Sequence, residues 1–350
     1  MAPLDGYRAA RMKIAQVMAG APAGGAELFF ERLTIALSQA GEDVRPIIRR
    51  NAARAGRLRD AGLAPLELRF GGPLDVLTRP RLRRALRAFE PRVTVAWMNR
   101  AARFTPRGDW VLAGRLGGFY DLSYYRHCDH LIGNTHGIVD WIAGQGWPAA
   151  RVHYLPNFVP DFASSAPALN GPPNGPPLIV ALGRLHRNKA FDILIRALAL
   201  VPGVQAIIAG EGPERGALET LIREQKLADR VTLPGWTGDT GALLARASIF
   251  VCPSRHEPLG NVVIEAWSSR RPVVAAASQG PMELITHGET GLLVPKEDPA
   301  ALAAAVQCLL TGPDLAIQLA AAGRARYEAD FAEAPVAARW RQFLATVEKA

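Results

Sequence analysis

The sequence predicts an α/β protein built from two doubly wound, Rossmann-like domains facing a cleft. Three observations carry that expectation. Apolar runs of strand length alternate with amphipathic runs of helix length from Met12 to the end of the chain. One Pro/Gly/Ser-rich stretch, residues 163–177 (ASSAPALNGPPNGPP), interrupts the alternation and has little to bury. A chain of 350 residues is also long enough for two cores of ordinary size. The expected division is 1–162, a linker over 163–177, and 178–333.

In order, Met12–Met18 reads as a strand, Ala19–Ala26 as a small-residue loop, and Glu27–Ala40 as a helix turning Leu28, Phe29, Leu33 and Leu37 inward. Strand, glycine loop and helix open a βαβ unit, in which glycine lets a phosphate approach the backbone. Asp43–Arg49 and Pro65–Phe70 are strands. Asp75–Glu90 is a basic helix with Leu82, Leu86 and Phe89 along one stripe, and Pro80 gives it a kink or a late start. Arg92–Trp97 and Trp110–Leu116 are further strands, and the segments from His130 and from Arg151 are the last two of the first domain. His127 and His130 read as satisfied structural histidines. The second domain opens with the strand Leu178–Leu182, a loop and a helix through Leu200. Val204–Ala209 follows, with Pro213 suited to a first helical position, then Val231–Trp236 and Ala247–Val251. Alanine-rich helices run from Pro299 to Ala329, and Ala334–Lys349 is a last amphipathic helix.

Composition excludes several classes. At 49% hydrophobic and 21% charged residues this is a globular composition, with no run approaching 18 apolar residues. The short N-terminal apolar run lacks a small-residue cleavage site and reads as a strand, not a leader. Cys128, Cys252 and Cys308 are scattered and form no C-x-x-C pair, which argues against a disulfide framework or zinc and fits a reducing cytoplasm. The net charge of +9 sits entirely in the first half: 23 Lys and Arg stand against 14 Asp and Glu up to residue 165, and 18 stand against 18 beyond it. Such asymmetry points to an anionic partner, namely a membrane surface, a phosphorylated acceptor or nucleic acid, with a merely solvated basic face as the alternative. The arginines are not interleaved with aromatics as a nucleic-acid platform requires.

Chemistry concentrates in Cys252–Ala275, CPSRHEPLGNVVIEAWSSRRPVVA. A loop leaves a strand and enters a helix near Gly260, with Val262, Val263, Ala266 and Trp267 on its buried side. The free N–H groups at that helix start make an anion site. Glu257 and Glu265 lie on either side of it, roughly 10 Å apart at the helical rise. Carboxylates accept from hydroxyls, so a ligand with hydroxyls, phosphates and hydroxyls again, as in a nucleotide-sugar, would fit. The plainer reading makes Glu257 a solvated loop residue and Glu265 a surface helix residue. Upstream, Arg184 and Lys189 straddle the loop after Leu182, placed to hold a diphosphate without a metal, Arg as a fork of donors and Lys as a point charge. Gly210-Glu-Gly-Pro213 is not a dinucleotide fingerprint, because its glycine spacing is one residue too long.

These motifs resemble the retaining glycosyltransferases of the GT-B fold, most closely glycosyltransferase family four. The resemblance rests on E-x-x-x-x-x-x-x-E (Glu257, Glu265), P-V-V-A after it, and G-R-L-x-x-x-K with Ala190 where the family has Gly. It covers most of residues 12–345 and is specific in the second half. It implies that Glu257 holds the transferred sugar, Glu265 the ribose, and the backbone of Leu259, Gly260 and Asn261 the phosphates. It further implies that Trp236 lies near the base, a buried Trp being the alternative, and that Gly24 and Gly25 touch the phosphate from the first domain. Glu27 would face the acceptor or, more simply, favour the helix dipole. The family's histidine after the strand ending at Leu116 is replaced by Gly117 and Gly118, leaving Asp121 as the nearest polar acceptor-side and catalytic candidate. The usual Gly before P-V-V-A is here Arg270 or Arg271. The final helix, 334–350, would return to the first domain.

The resemblance thus implies a metal-independent retaining transferase without cofactor, moving a sugar from a UDP- or GDP-sugar to a glycan or glycolipid such as lipopolysaccharide core. Its expected setting is cytoplasmic, with peripheral contact to anionic inner membrane and no nucleic-acid partner. The competing readings are a nucleotide-sugar 2-epimerase of the same fold and a catalytically silent nucleotide-sugar-binding protein.

Overall fold

Strands covered on both faces must be apolar along their whole length, and the central strands of two parallel sheets, such as VTVAW, VLAGRL and LIVAL, are buried end to end, while the edge strands are partly exposed. The computed structural model describes residues 11–22, 24–72, 74–163 and 175–349. Its elements begin with β1 (Lys13–Met18), α1 (Gly25–Gln39), β2 (Asp43–Arg49), α2 (Ala52–Asp60), β3 (Leu66–Leu68), α3 (Thr78–Phe89), β4 (Val93–Trp97), α4 (Met98–Phe104), β5 (Val111–Leu116), β6 (His130–Gly133), α5 (His136–Gly144) and β7 (Val152–Tyr154). They continue with β8 (Leu178–Leu182), α6 (Phe191–Ala199), β9 (Gln205–Ala209), α7 (Arg215–Glu224), β10 (Val231–Thr232), α8 (Thr240–Arg246), β11 (Ile249–Cys252), α9 (Asn261–Ser268), β12 (Val273–Ala276), α10 (Gln279–Leu284) and β13 (Leu292–Val294). Three helices close the chain: α11 (Pro299–Thr311), α12 (Pro313–Arg326) and α13 (Glu333–Thr346).

The chain divides into two compact units, Met1–Asn157 with Val336–Ala350, and Phe158–Pro335. The first holds a seven-stranded sheet in the order β3-β2-β1-β4-β5-β6-β7, the second a six-stranded sheet in the order β10-β9-β8-β11-β12-β13. Every pairing in both is parallel. In each sheet the strand order reverses once, between β1 and β4 and between β8 and β11. Such reversals open crevices at the carboxyl ends of the strands.

Several expectations change on inspection. Residues 158–162, assigned to the first domain, pack with the second unit. Val159 is buried in its core, and Arg324 forks onto Asp161 at 2.7 and 2.8 Å. Most of the expected linker, 164–174, lies outside the described residues. The helix expected from Asp75 starts at Thr78, because Asp75 accepts from Gly71 N–H (2.6 Å), Thr78 N–H (3.1 Å) and Thr78 O–H (2.6 Å). Pro80 thereby falls in the first turn, where its missing N–H costs nothing. Pro213 stands ahead of α7, not inside it. Helices α2 and α4 had no counterpart in the sequence reading.

α13 belongs to the first unit. Trp340 stacks on Trp97 at 6.2 Å and 8°, and the His153 and Phe343 rings meet at 4.8 Å. Near its end, His130 bonds both His153 (3.0 Å) and the Glu348 carbonyl (2.7 Å). Burial, with His130 beside it, depresses His153 from 6.5 to about 4. The unfolded chain therefore takes up this proton first, and stability falls as pH drops from 6.5 toward 4. Thermal melts between those limits should show wild type losing more stability than His153→Gln; equal losses would assign the acid sensitivity elsewhere.

Candidate functional site

The crevice between β8 and β11 is formed by two loops that the sequence separates by some 70 residues. After β8, Gly183 takes φ 146°, Leu185 turns into the core, and a short turn over Arg187–Lys189 leads to Ala190 and α6. After β11, Pro253–Gly260 leads into α9. Three contacts fasten one loop to the other. Arg255 forks onto Asp192 at 2.8 and 2.7 Å, with further bonds to the Arg187 carbonyl (2.9 Å) and Glu297 (3.1 Å). His256 N–H donates to the Asn188 carbonyl at 3.2 Å. The Lys189 ammonium donates to the Glu257 carboxylate.

Glu257 is therefore not a solvated loop residue. It is 8% exposed, and Ser254 O–H reaches the same carboxylate oxygen at 3.4 Å. The Lys189 ammonium is disfavoured by burial. Attraction from Glu257, aided by Cys252 and Glu265, outweighs that and holds its pKa above 10.5. Cys252 lies fully buried beneath the pair, its thiol pushed up to about 11 by burial and by Glu257. Glu265, half-buried on α9, lies close enough to act on Lys189. Arg184 is exposed and has no ion-pair partner among the described residues. Lys189 and Glu257 thus meet at one point in the fold, with Glu265 near enough for its charge to act on Lys189 and Arg184 at the start of the same loop.

Glycines let these loops approach. A Cβ on Gly210 would sit 1.8 Å from the Gly183 carbonyl oxygen, and one on Gly212 would sit 2.2 Å from that of Leu185. A Cβ on Gly280 would likewise sit 2.3 Å from the Leu259 carbonyl oxygen, and the Gly280 N–H donates to the Glu257 carbonyl at 2.7 Å. Gly260 is left-handed (φ 89°) and no side chain caps α9, so its first turn faces the crevice with the positive end of the dipole. On α9, Val263, Ile264, Ala266 and Trp267 are buried, while Val262 is only half-buried. The two departures from glycine keep glycine's conformation, Ala190 at φ 53° and Arg270 at φ 56°. Trp236 is not buried: it stands 71% exposed beyond β10.

In the first unit, Gly24 and Gly25 begin α1 after β1. Glu27 is 4% exposed and folds back on that loop, accepting Ala21 N–H at 2.7 Å. Cβ atoms on Gly20 or Gly24 would come within 2.1 or 2.4 Å of its carboxylate oxygens, which accounts for glycine at both positions. Asp121 is exposed and caps the turn Leu122–Tyr125 through Ser123 N–H at 2.8 Å. That bond holds it below the usual carboxylate range, so it is ionised and a weak base at neutral pH.

A family model described as glycosyl transferases group 1 matches residues 176–312, which include both crevice loops. Across 336 residues the chain is 33% identical to the lipopolysaccharide core biosynthesis glycosyltransferase LpsE of Rhizobium meliloti (strain 1021), covering 92% of this chain and 96% of that protein. The chain belongs to the group 1 glycosyltransferases. LpsD of the same organism is also 33% identical, over 92% of this glycosyltransferase and 95% of its own length. Among solved structures, Anabaena HepE in complex with UDP superposes with a TM-score of 0.83 at 21% identity, covering 96% of this chain and 100% of that one. The lipopolysaccharide outer core galactosyltransferase WaaB, in its apo form, gives 0.74 at 17% identity, covering 95% and 98%. Both share the GT-B architecture of two Rossmann-like domains.

The sequence reading missed Arg255, Asp192 and Gly280, whose partners are distant in sequence, and Ser254, which bonds Glu257 three residues on. Only the proximity of Arg255 to Glu257 could have flagged one of them. Replacing Lys189 with Met should cost the glycosyltransferase about 2 kcal/mol at neutral pH, since it strands a largely buried carboxylate. The lysine's raised pKa sets the window: its stabilisation is complete below 10.5 and is lost as pH rises through the folded value. Urea melts should therefore show the wild-type advantage seen at neutral pH shrinking as pH rises beyond 10.5; a constant gap would mean that the pair's charge is not its contribution.

Proposed function

We propose that the enzyme is a retaining, metal-independent glycosyltransferase whose donor is a nucleoside-diphosphate sugar bound at the β8/β11 crevice. The observation that carries this is the joining of Lys189 and Glu257 beside the uncapped start of α9. Lys189 has three N–H donors and uses one on Glu257, which leaves others for a diphosphate. Arg184, exposed at the start of the same loop and without an ion-pair partner among the described residues, adds a guanidinium fork. As the sugar–phosphate bond breaks, negative charge grows on the diphosphate, and these cations and the helix dipole stabilise it. Glu257, fixed by Lys189 and Ser254, holds the sugar's hydroxyls, and Glu265 one turn along α9 holds the ribose. Leu259, Gly260 and Asn261 supply backbone to the phosphates, and exposed Trp236 a face for the base. From the first unit, Gly24 and Gly25 are the proposed phosphate contacts and Asp121 the acceptor-side residue, while Glu27, proposed from the resemblance for the acceptor, is folded onto the loop that carries the two glycines. The ionised, weakly basic Asp121 leaves the departing phosphate as the group that takes the acceptor's proton.

The acceptor we propose is a hydroxyl of an envelope glycan, in line with the lipopolysaccharide core relatives. No single helix among the described residues is long and apolar enough to cross a membrane. Before α3, however, Leu74 (94%), Val76 (75%) and Leu77 (50%) stand exposed beside the basic helix. Apolar insertion flanked by arginine supports a peripheral seat on an anionic membrane from the cytoplasmic side.

Calorimetry with UDP- and GDP-sugars in the presence of EDTA should find micromolar binding of one nucleotide class. Arg184→Ala should weaken it about 10- to 100-fold, the loss of one charge-assisted contact. NMR of the product should show the donor's anomeric configuration kept. Inverted product, a strict metal requirement, or a 2-epimer formed without acceptor would each overturn the corresponding part of the reading.

A further inference from the structure

The first unit carries a groove of 1410 Å³ between α3 and α4 that the donor chemistry does not use. Four of its lining residues come from α3 (Arg79, Arg83, Arg84 and Arg87) and two from α4 (Arg100 and Arg103). All six are exposed, and none pairs with an acid among the described residues. Asp75, the one acidic lining residue, is already engaged by Gly71 and Thr78, which hold its carboxyl down to about 2. Elsewhere in this unit arginines do find partners: Arg54 and Arg57 share Glu31, Arg59 takes Glu67, and Arg92 donates to the carbonyls of Leu344 and Ala345.

Other exposed arginines of this unit, Arg50, Arg69, Arg81 and Arg151 among them, also show no acid partner among the described residues, but the groove gathers six such side chains on facing helices. That gathering of charge also works against the helix that carries it, because Arg79, Arg83 and Arg87 repeat at four-residue spacing and like charges so placed repel. An anion bound in the groove would reverse that repulsion. The groove runs to the carboxyl edge of the sheet. Gly71 and Gly72 follow β3 at the sheet's edge, and Asn99 follows β4, one of the two strands between which the order reverses. Tyr124, 36% exposed, adds a ring on which a sugar can rest. A concave site of this kind suits a discrete ligand with several charges and an apolar face more than it suits a flat bilayer.

We infer that this groove is an acceptor subsite that grips phosphate or carboxylate groups on the glycan receiving the sugar. The inference rests on the transferase reading above and names the acceptor's chemical class, a polyanionic glycan. Guanidinium forks on both walls pair with phosphate or carboxylate oxygens, and Tyr124 packs on the ring between them.

The test uses the full chain, wild type and the triple variant Arg83→Gln, Arg87→Gln, Arg103→Gln. Inositol hexakisphosphate serves as a soluble polyphosphorylated probe, phosphatidylglycerol vesicles as the lipid probe, and UDP as the donor control. Wild type should bind the soluble probe at low salt, and the triple variant should bind it at least about tenfold more weakly with a shallower salt dependence. UDP affinity and circular-dichroism melts should stay unchanged, which separates the groove from the fold. No binding of the soluble probe, binding indifferent to the triple variant, or loss of vesicle binding alone would overturn the proposal. Absent UDP binding with intact, arginine-dependent probe binding would instead sink the donor reading.

Discussion

The ion pair between Lys189 and Glu257 holds the second unit's crevice in shape. Two loops leave neighbouring strands on opposite sides of the point where the sheet reverses, and nothing in their own sequences fixes the gap between them. The pair fixes it, and Arg255 on Asp192 and His256 on Asn188 repeat the fastening on either side. Burying two charges is costly unless each satisfies the other. That condition ties the chemistry to the fold: the ammonium that would neutralise a leaving group also holds in place the carboxylate proposed to meet the sugar.

Much of this architecture was visible in the residues because parallel strands buried on both faces are apolar throughout. Leu178–Leu182 (LIVAL), buried along its whole length, has the limits that its hydrophobic run implies, and Asp43–Arg49 keeps its expected limits although Asp43 and Arg45 are exposed. Helices α2 (AARAGRLRD) and α4 (MNRAARF) were silent for the opposite reason, since short arginine-rich segments show little apolar period. The clustering of Glu257 and Lys189 was legible only through motif resemblance. Their direct contact was not, as it spans 68 residues. Local rules also misjudge glycine. Gly210, Gly212 and Gly280 are needed because distant carbonyls press against them, whereas Ala190 and Arg270 take left-handed backbone without being glycine.

The first unit shows a different use of charge. On β5, Arg115 is completely buried over the rings of Trp97 (4.5 Å) and Phe29 (5.1 Å) and donates to Asn157. Burial lowers its pKa to about 9. As one residue of an apolar strand, it gave no sign of this role. The arginines of α3 and α4 are the reverse case, exposed and unmatched, and they account for much of the charge asymmetry between the chain's halves. Buried arginine here organises the aromatic core through cation–π contact, while surface arginine is left available for a ligand.

Everything proposed for the second unit depends on a nucleotide-sugar occupying the β8/β11 crevice, which a crystal structure of the enzyme with UDP- or GDP-sugar would reveal. Diphosphate oxygens should lie against Lys189 and Arg184 at the first turn of α9, with ribose hydroxyls on Glu265 and sugar hydroxyls on Glu257. Nucleotide bound anywhere else, or a crevice in which Lys189 and Glu257 touch no part of it, would rule out this donor site.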